Sequence, residues 1–262
     1  MDDGGGTYGC IEVGRDGPTV TITMALPERR NALGRRHLGE LLDAFRWAGT
    51  TDATGVVLAG AGPVFSAGHD LGEMAGEDET AVRDLLDTCA ALMAAMREVP
   101  QVVVARVHGL ATAAGCQLVA NADLAVAAES AAFAVPGGKG GWFCTTPMVA
   151  VGRAVPRKRA FELALTGDPI DAGTAEAWGL VNRCVPDDEL DAAVAELLAR
   201  ATRGSRASRA VGKPALHRQL DLPIDEAYAF ATDVMARASQ LPDAQEGMAA
   251  FVEKRPPVWH DD

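Results

Sequence analysis

Four short stretches of this chain hold residues able to do chemistry. Phe65-Ser66-Ala67-Gly68-His69-Asp70-Leu71 joins an imidazole and a carboxylate to small residues that let a ligand or another backbone come close. Ala113-Ala114-Gly115-Cys116-Gln117 opens a helix, where free N–H groups can hold an anion or a polarised carbonyl. Pro27-Glu28-Arg29-Arg30-Asn31-Ala32-Leu33 carries two arginines on a loop. Gly140-Gly141-Trp142-Phe143-Cys144-Thr145-Thr146-Pro147 places a thiol and two hydroxyls behind two aromatic rings. Taken singly, each also reads as plain structure: a glycine turn, small-residue packing, a loop before a helix, a buried thiol.

The elements around these stretches follow from periodicity. Ile11 to Val13 and Thr19 to Met24 read as two strands joined at Arg15-Asp16-Gly17-Pro18, where Asp-Gly is a hairpin signal. Leu38, Leu41, Leu42, Phe45 and Ala48 recur at helical spacing, which predicts a helix over Gly34 to Ala48. Gly55 to Ala59, Val102 to Val107, Leu124 to Ala127 and Ala132 to Ala134 read as buried strands. A long helix through Leu85, Cys89, Leu92 and Met96 stops before Pro100. Gly109 to Cys116 turns tightly into a helix reaching Ala120. From Pro147 onward helices dominate: Pro156 to Leu165, Thr174 to Trp178, Leu190 to Arg203, Ala207 to Leu220, Ile224 to Ala238 and Ala244 to Val252. Only Val181 to Val185 reads as a strand there. Strands alternating with helices predict an α/β fold with a largely parallel sheet.

Composition narrows the function classes. A chain of 262 residues, 48% hydrophobic, buries about three quarters of its unfolded surface and needs no disulfide or metal staple. Its net charge of −12 argues against nucleic acid and anionic lipid as partners. No apolar run approaches the roughly 18 residues of a membrane span. Gly4 to Gly6 read as a floppy lead-in, and the acidic start is unlike a signal or transit peptide. Cys10, Cys89, Cys116, Cys144 and Cys184 are scattered, with no C-x-x-C pair, so no metal site is expected and a cytoplasmic, reduced setting is.

Read in order, the four stretches resemble the crotonase family of enoyl-CoA hydratases and isomerases. The likeness continues through Thr166-Gly167-Asp168-Pro169, through Trp178-Gly179-Leu180-Val181-Asn182 and through the tail from Asp243 to Pro257. Within the family, the Ala113 to Gln117, Phe143 to Pro147 and Ala154-Val155-Pro156-Arg157-Lys158 segments look like those of the mitochondrial-type enoyl-CoA hydratase domain-containing proteins. The resemblance implies a spiral of ββα units over residues 1–200, then a helical trimerisation region over 201–262. It implies a homotrimer or a hexamer built as a dimer of trimers. It implies an acyl-CoA thioester substrate, with coenzyme A entering as part of the substrate and no separate cofactor.

Carried over residue by residue, the oxyanion donors fall on the backbone N–H groups of His69 and Ala114. The CoA contacts fall on Arg30, Ala32, Ala67, Gly68, Asp70 and Leu71, and on Phe251 and Lys254 in the tail. The two glutamates of a family hydratase fall on Gln117 and on Gly137, directly after Pro136. Glutamine cannot take a proton near neutral pH, and glycine supplies no group at all. Neither Glu73 nor Glu129 matches either slot, and both read as solvated carboxylates. A general base contributes roughly 10²–10⁴-fold, so ordinary water addition loses most of its rate. Cys144 and Thr145 fall where glutamate-free members place acting side chains.

The leading expectation is therefore an acyl-CoA-binding protein with an oxyanion hole and weak or altered hydratase/isomerase chemistry. A malonyl-type acyl-CoA decarboxylase and a non-catalytic acyl-CoA-binding scaffold are the alternatives. Paired Gln117→Glu and Gly137→Glu changes are expected to restore hydration of a short 2-enoyl-CoA.

Overall fold

A computed structural model describes residues 7–260, so the Gly4 to Gly6 lead-in lies outside the described residues. The first sheet begins with the expected hairpin. β1 (Ile11–Asp16) pairs antiparallel with β2 (Thr19–Met24), with Asp16 opposite Thr19 and Gly17-Pro18 in the turn. β3 (Gly55–Gly60), β5 (Val102–Val107), β7 (Leu124–Ala128) and β10 (Arg183–Val185) extend this sheet in parallel, in the order β1-β2-β3-β5-β7-β10. Their near-continuous Val, Leu and Ala runs suit strands covered on both faces.

A second, smaller sheet lies beside it. β4 (Val64–Ser66), β6 (Leu110–Thr112) and β8 (Ala132–Ala134) run parallel, and β9 (Ile170–Asp171) adds antiparallel to β8. The chain therefore winds as a spiral, and each turn lays one strand in each sheet before a helix. β3 and β4 lead to α2 (Glu79–Glu98). β5 and β6 lead to α3 (Ala114–Asn121). β7 and β8 lead to α4 (Pro147–Ala154) and α5 (Arg157–Thr166). α1 (Arg35–Thr50) precedes these turns and buries His37, Leu38, Leu41, Ala44, Phe45 and Ala48 along one face.

After the spiral come α6 (Ala172–Trp178), α7 (Leu190–Ala201), α8 (Arg206–Gln219), α9 (Ile224–Ala238) and α10 (Pro242–Glu253). Three strands and one helix go beyond the periodicity reading: β4, β6, β9 and α4. β4 and β6 are three residues long and β9 two, too short for a two-residue alternation to register.

Asn31 ties the first turn together. It is fully buried at φ 51°, a conformation Asn tolerates better than most residues. Its Oδ1 accepts from Leu26 N at 3.0 Å, and its Nδ2 donates to the carbonyls of Ala61, Val64 and Phe65 at 2.9–3.1 Å. One side chain thus satisfies the loop before α1 and the corner between β3 and β4. No helix of the described residues is long and apolar enough to cross a membrane.

Candidate active site

The three parallel strands of the small sheet end side by side, and the next residues of each form one wall. Beyond β4 stand Ala67, Gly68 and His69. Beyond β6 stand Ala113 and Ala114. Beyond β8 come Pro136 and Gly137. Loops beyond the carboxyl ends of parallel strands are the usual place for a ligand in α/β folds.

Hydrogen bonds lace these ends together. Ala113 N donates to Ala134 O at 2.9 Å, joining the second and third ends. Leu33 N donates to Gly68 O at 2.8 Å, and Asp70 N to Leu33 O at 3.2 Å, so residues 68–70 form a short parallel bridge with the loop before α1. In that bridge the neighbours of His69 are bonded, and the His69 amide makes no hydrogen bond among the described residues. Ala114 is the first residue of α3, whose leading amides have no partner within the helix.

Gly68 brings the two amides together. Its φ is 83°, and a Cβ there would lie 2.8 Å from Thr112 O, 2.9 Å from Ala113 Cβ and 3.1 Å from Ala114 N. Only glycine permits that approach. Ala113 is held at φ 50° and ψ −116°, a costly conformation for alanine, and it turns the chain from β6 into α3.

A cavity of about 470 Å³ opens beside this contact and is lined by Ala113. Ala67, His69, Leu71, Gly137, Cys144 and Thr145 are on its wall, together with Trp142 and Phe143. The His69 ring is largely buried, and desolvation pushes its pKa down to about 4, so the imidazole is neutral at pH 7. Two buried polar atoms of this wall, His69 Nε2 and Thr112 Oγ1, have no hydrogen-bond partner among the described residues. Burial pushes the Cys144 thiol up, against a weaker opposing effect of the Gly137 backbone. Cys116 is fully buried with its thiol pushed up to about 12, the packing role expected of it.

Other expected residues are placed elsewhere. Gln117 is buried, accepts from the Cys89 thiol at 3.9 Å and lines a neighbouring cavity instead. Gly137 has no positive φ, yet a Cβ on it would stand 2.2 Å from Trp142 O and 2.6 Å from Cys144 Sγ. The expected rescue by Gly137→Glu is corrected by that clash.

Asp70 is 8% exposed, pairs with Arg29 and accepts from Gly72 N at 3.0 Å, so it braces the loop. The Ala32 carbonyl faces His37 Nδ1 at 3.0 Å. Arg30 is exposed, outside the cavity wall, and its carbonyl accepts from Ala67 N at 2.9 Å. Phe251, 85% exposed, lines a groove near the C-terminus with Arg209 and Trp259, and Lys254 ends α10 at φ 56°. Within one chain neither reaches the His69 cavity. Glu73, expected in solvent, instead accepts from Arg35 N at 2.8 Å and caps α1. Among the described residues no three His, Cys, Asp or Glu side chains gather as metal ligands.

Comparison with known proteins places this geometry among relatives. The enoyl-CoA hydratase/isomerase family model matches residues 16–262. The chain is 42% identical over 240 residues to the rat enoyl-CoA hydratase domain-containing protein 3, mitochondrial, covering 91% of this chain and 80% of that one. The human protein of the same name is 41% identical over 242 residues, covering 91% and 79%. A crystal structure of an enoyl-CoA hydratase from Mycobacterium smegmatis superposes with a TM-score of 0.92 at 43% identity, covering 97% of this chain and 100% of that one. The crystal structure of the human domain-containing protein 3 gives 0.90 at 37%, covering 95% and 100%. The cytoplasmic expectation is corrected by these comparisons, because the relatives at 42% and 41% identity are named mitochondrial proteins.

Proposed function

Since this chain belongs to the enoyl-CoA hydratase/isomerase family, we propose that it binds an acyl-CoA thioester at the His69 cavity and stabilises an enolate there without a glutamate pair. The observation that carries this reading is the close approach of the Gly68-His69 turn to the Ala113-Ala114 helix start, with Ala114 N 3.1 Å from where a Gly68 Cβ would be, beside an apolar cavity that His69 and Ala113 line. Two amides aimed at one thioester oxygen would stabilise the negative charge that develops there, an effect worth several kcal/mol. They need no side chain, so His in one position and Ala in the other are both compatible with the role. Ala67, Gly68 and Leu71 would line the path of the pantetheine arm, and Arg30 would meet its phosphates. Coenzyme A arrives as part of the substrate, and the reaction calls for no further cofactor.

The slots of the glutamate pair hold Gln117, turned toward the neighbouring cavity, and Gly137, closed by Trp142 O. Chemistry that begins with carbon dioxide loss needs no base: the C–C bond electrons pass into the enolate that the two amides hold. This favours decarboxylation of a malonyl-type thioester as the second reading. A non-catalytic scaffold is the third.

The assembly we propose is a homotrimer or a hexamer, with Phe251 and Lys254 reaching a neighbour's ligand. Tyr228 and Met235 of α9 are 70% and 78% exposed in the single chain, which supports a covered face. Light scattering that returns a 27 kDa particle would overturn it.

Titration calorimetry with crotonoyl-CoA and free coenzyme A, joined to difference infrared spectra of the thioester carbonyl, tests the central reading. The expected result is tighter binding of the thioester and a carbonyl band moved to lower frequency. Equal affinities and an unmoved band would end it. Carbon dioxide release from methylmalonyl-CoA then separates the decarboxylase from the scaffold.

A further inference from the structure

A second cavity, also about 470 Å³, adjoins the first and shares Thr146 with it. Three helices run from one to the other. On α2, Leu86 lines the first cavity, and Ala90, Met93 and Arg97 line the second. Those spacings keep one helix face turned inward, and at 1.5 Å per residue Arg97 lies about 16 Å beyond Leu86. Ala113, at the start of α3, lines the first cavity, and one turn later Gln117 lines the second, followed by Ala120. α4 does the same, from Pro147 at the first cavity to Val149, Ala150 and Arg153 at the second. The interior of this path is largely Ala, Met and Val.

The far end changes character. Its charged wall groups are Arg97, Arg153, His217 and Asp221. Asp221 is already matched by Arg153 Nε at 3.0 Å, and His217 Nε2 faces Asp123 at 3.2 Å. Among the described residues the half-buried Arg97 guanidinium has no hydrogen-bond or ion-pair partner. Gln117 Nε2 likewise donates to no protein acceptor. The path thus runs apolar from the two amides and finishes on unmatched donors, one of them cationic. A methyl-ended acyl chain would leave those donors without a partner. An acid group would satisfy them, and Arg presents the planar fork that a carboxylate matches.

We infer that the second cavity is a subsite for a terminal carboxylate, so that the acyl group is a medium-chain ω-carboxyacyl chain anchored by Arg97. This rests on thioester binding at the His69 cavity and adds a substrate class to it. Gln117, in the place of a family glutamate, fits the same picture: a carboxylate there would repel an acidic chain end, whereas an amide donates to it.

The test compares the affinities of decanedioyl-CoA (a mono-thioester with a free acid end), decanoyl-CoA and succinyl-CoA for the full chain. Decanedioyl-CoA should bind about tenfold tighter than decanoyl-CoA, the scale of one charge-assisted hydrogen bond. Succinyl-CoA, too short to reach Arg97, should gain nothing from its acid end. In Arg97→Met the decanedioyl preference should vanish while decanoyl-CoA binds as before. Arg97→Lys should keep part of the preference, which separates charge from packing. No preference in the native chain, or one that survives Arg97→Met, overturns the subsite and leaves thioester binding standing. Failure of all three thioesters to bind better than free coenzyme A would fell the underlying reading, and the subsite with it.

Discussion

Trp142 donates its amide to the Gly137 carbonyl at 2.9 Å, and its own carbonyl stands 2.2 Å from where a Gly137 Cβ would be. The loop carrying Cys144 and Thr145 is therefore folded onto the glycine, and no side chain fits between them. Gly137→Glu should cost about 1–3 kcal/mol of stability, the usual scale of overpacking. It should yield no hydration of crotonoyl-CoA, alone or with Gln117→Glu. Thermal melts and a hydration assay check both halves. A stable, hydrating double variant would show that the loop opens freely.

Ala113 sits at φ 50° and ψ −116°, where a Cβ is strained by about 1–2 kcal/mol. Ala113→Gly removes that strain, and the looser unfolded chain takes back about 0.4–1 kcal/mol. A net gain of up to about 1 kcal/mol is expected in urea unfolding, with thioester affinity unchanged. A loss of stability would mean that the Ala113 methyl contributes more in packing against Gly68 than the strain removes.

Asn31→Ala should be far more damaging than its loop position suggests. It would leave the Leu26 amide and three carbonyls short of a buried partner, each such loss being worth about 1–3 kcal/mol. Asn31→Asp should be at least as damaging, because it turns a carboxylate oxygen toward those carbonyls. Urea midpoints measure both, and a change under about 0.5 kcal/mol for either would refute the hub role.

Stability should fall on mild acidification. The His69 pKa is lowered from 6.5 to about 4 by desolvation, and burial lowers that of His37 too. A histidine kept neutral in the folded state contributes full stability above pH 6.5. That contribution is lost as pH falls toward 4, because only the unfolded chain takes up the proton. For His69 the whole contribution is at most about 3 kcal/mol, at 1.36 kcal/mol per unit. Urea midpoints at pH 7 and pH 5 should differ, and His69→Gln should narrow the gap. An unchanged gap would place the acid sensitivity elsewhere.

What the sequence disclosed and what it withheld divide along physical lines. The long helices and the strands of the first sheet other than β10 announce themselves through five or more residues of pattern. Of the small sheet only β8 is legible in the sequence, since β4, β6 and β9 are too short for any alternation to register. Yet the ends of that sheet position His69, Ala114 and Gly137, which were reached through resemblance alone. The side-chain directions of Gln117 and Glu73 were also closed to the sequence. Both depend on contacts with residues 28 and 38 positions away. Arg97 gave no signal, because one basic residue in the last turn of a helix is ordinary.

The spiral has one more consequence, for how such a pocket changes over generations. Each coil delivers one segment to the cavity, drawn from residues 67–71, then 112–113, then 136–147. The coils are stacked like floors, and each gives one strand to each sheet, where it pairs with the strands of its neighbours. A substitution in one segment therefore remodels one side of the chamber and leaves the other two standing. Lineages that share this scaffold are free to exchange acid–base groups on one floor while the amides on another stay fixed. A change of side chains on one floor with the cavity intact is the outcome such an architecture tolerates.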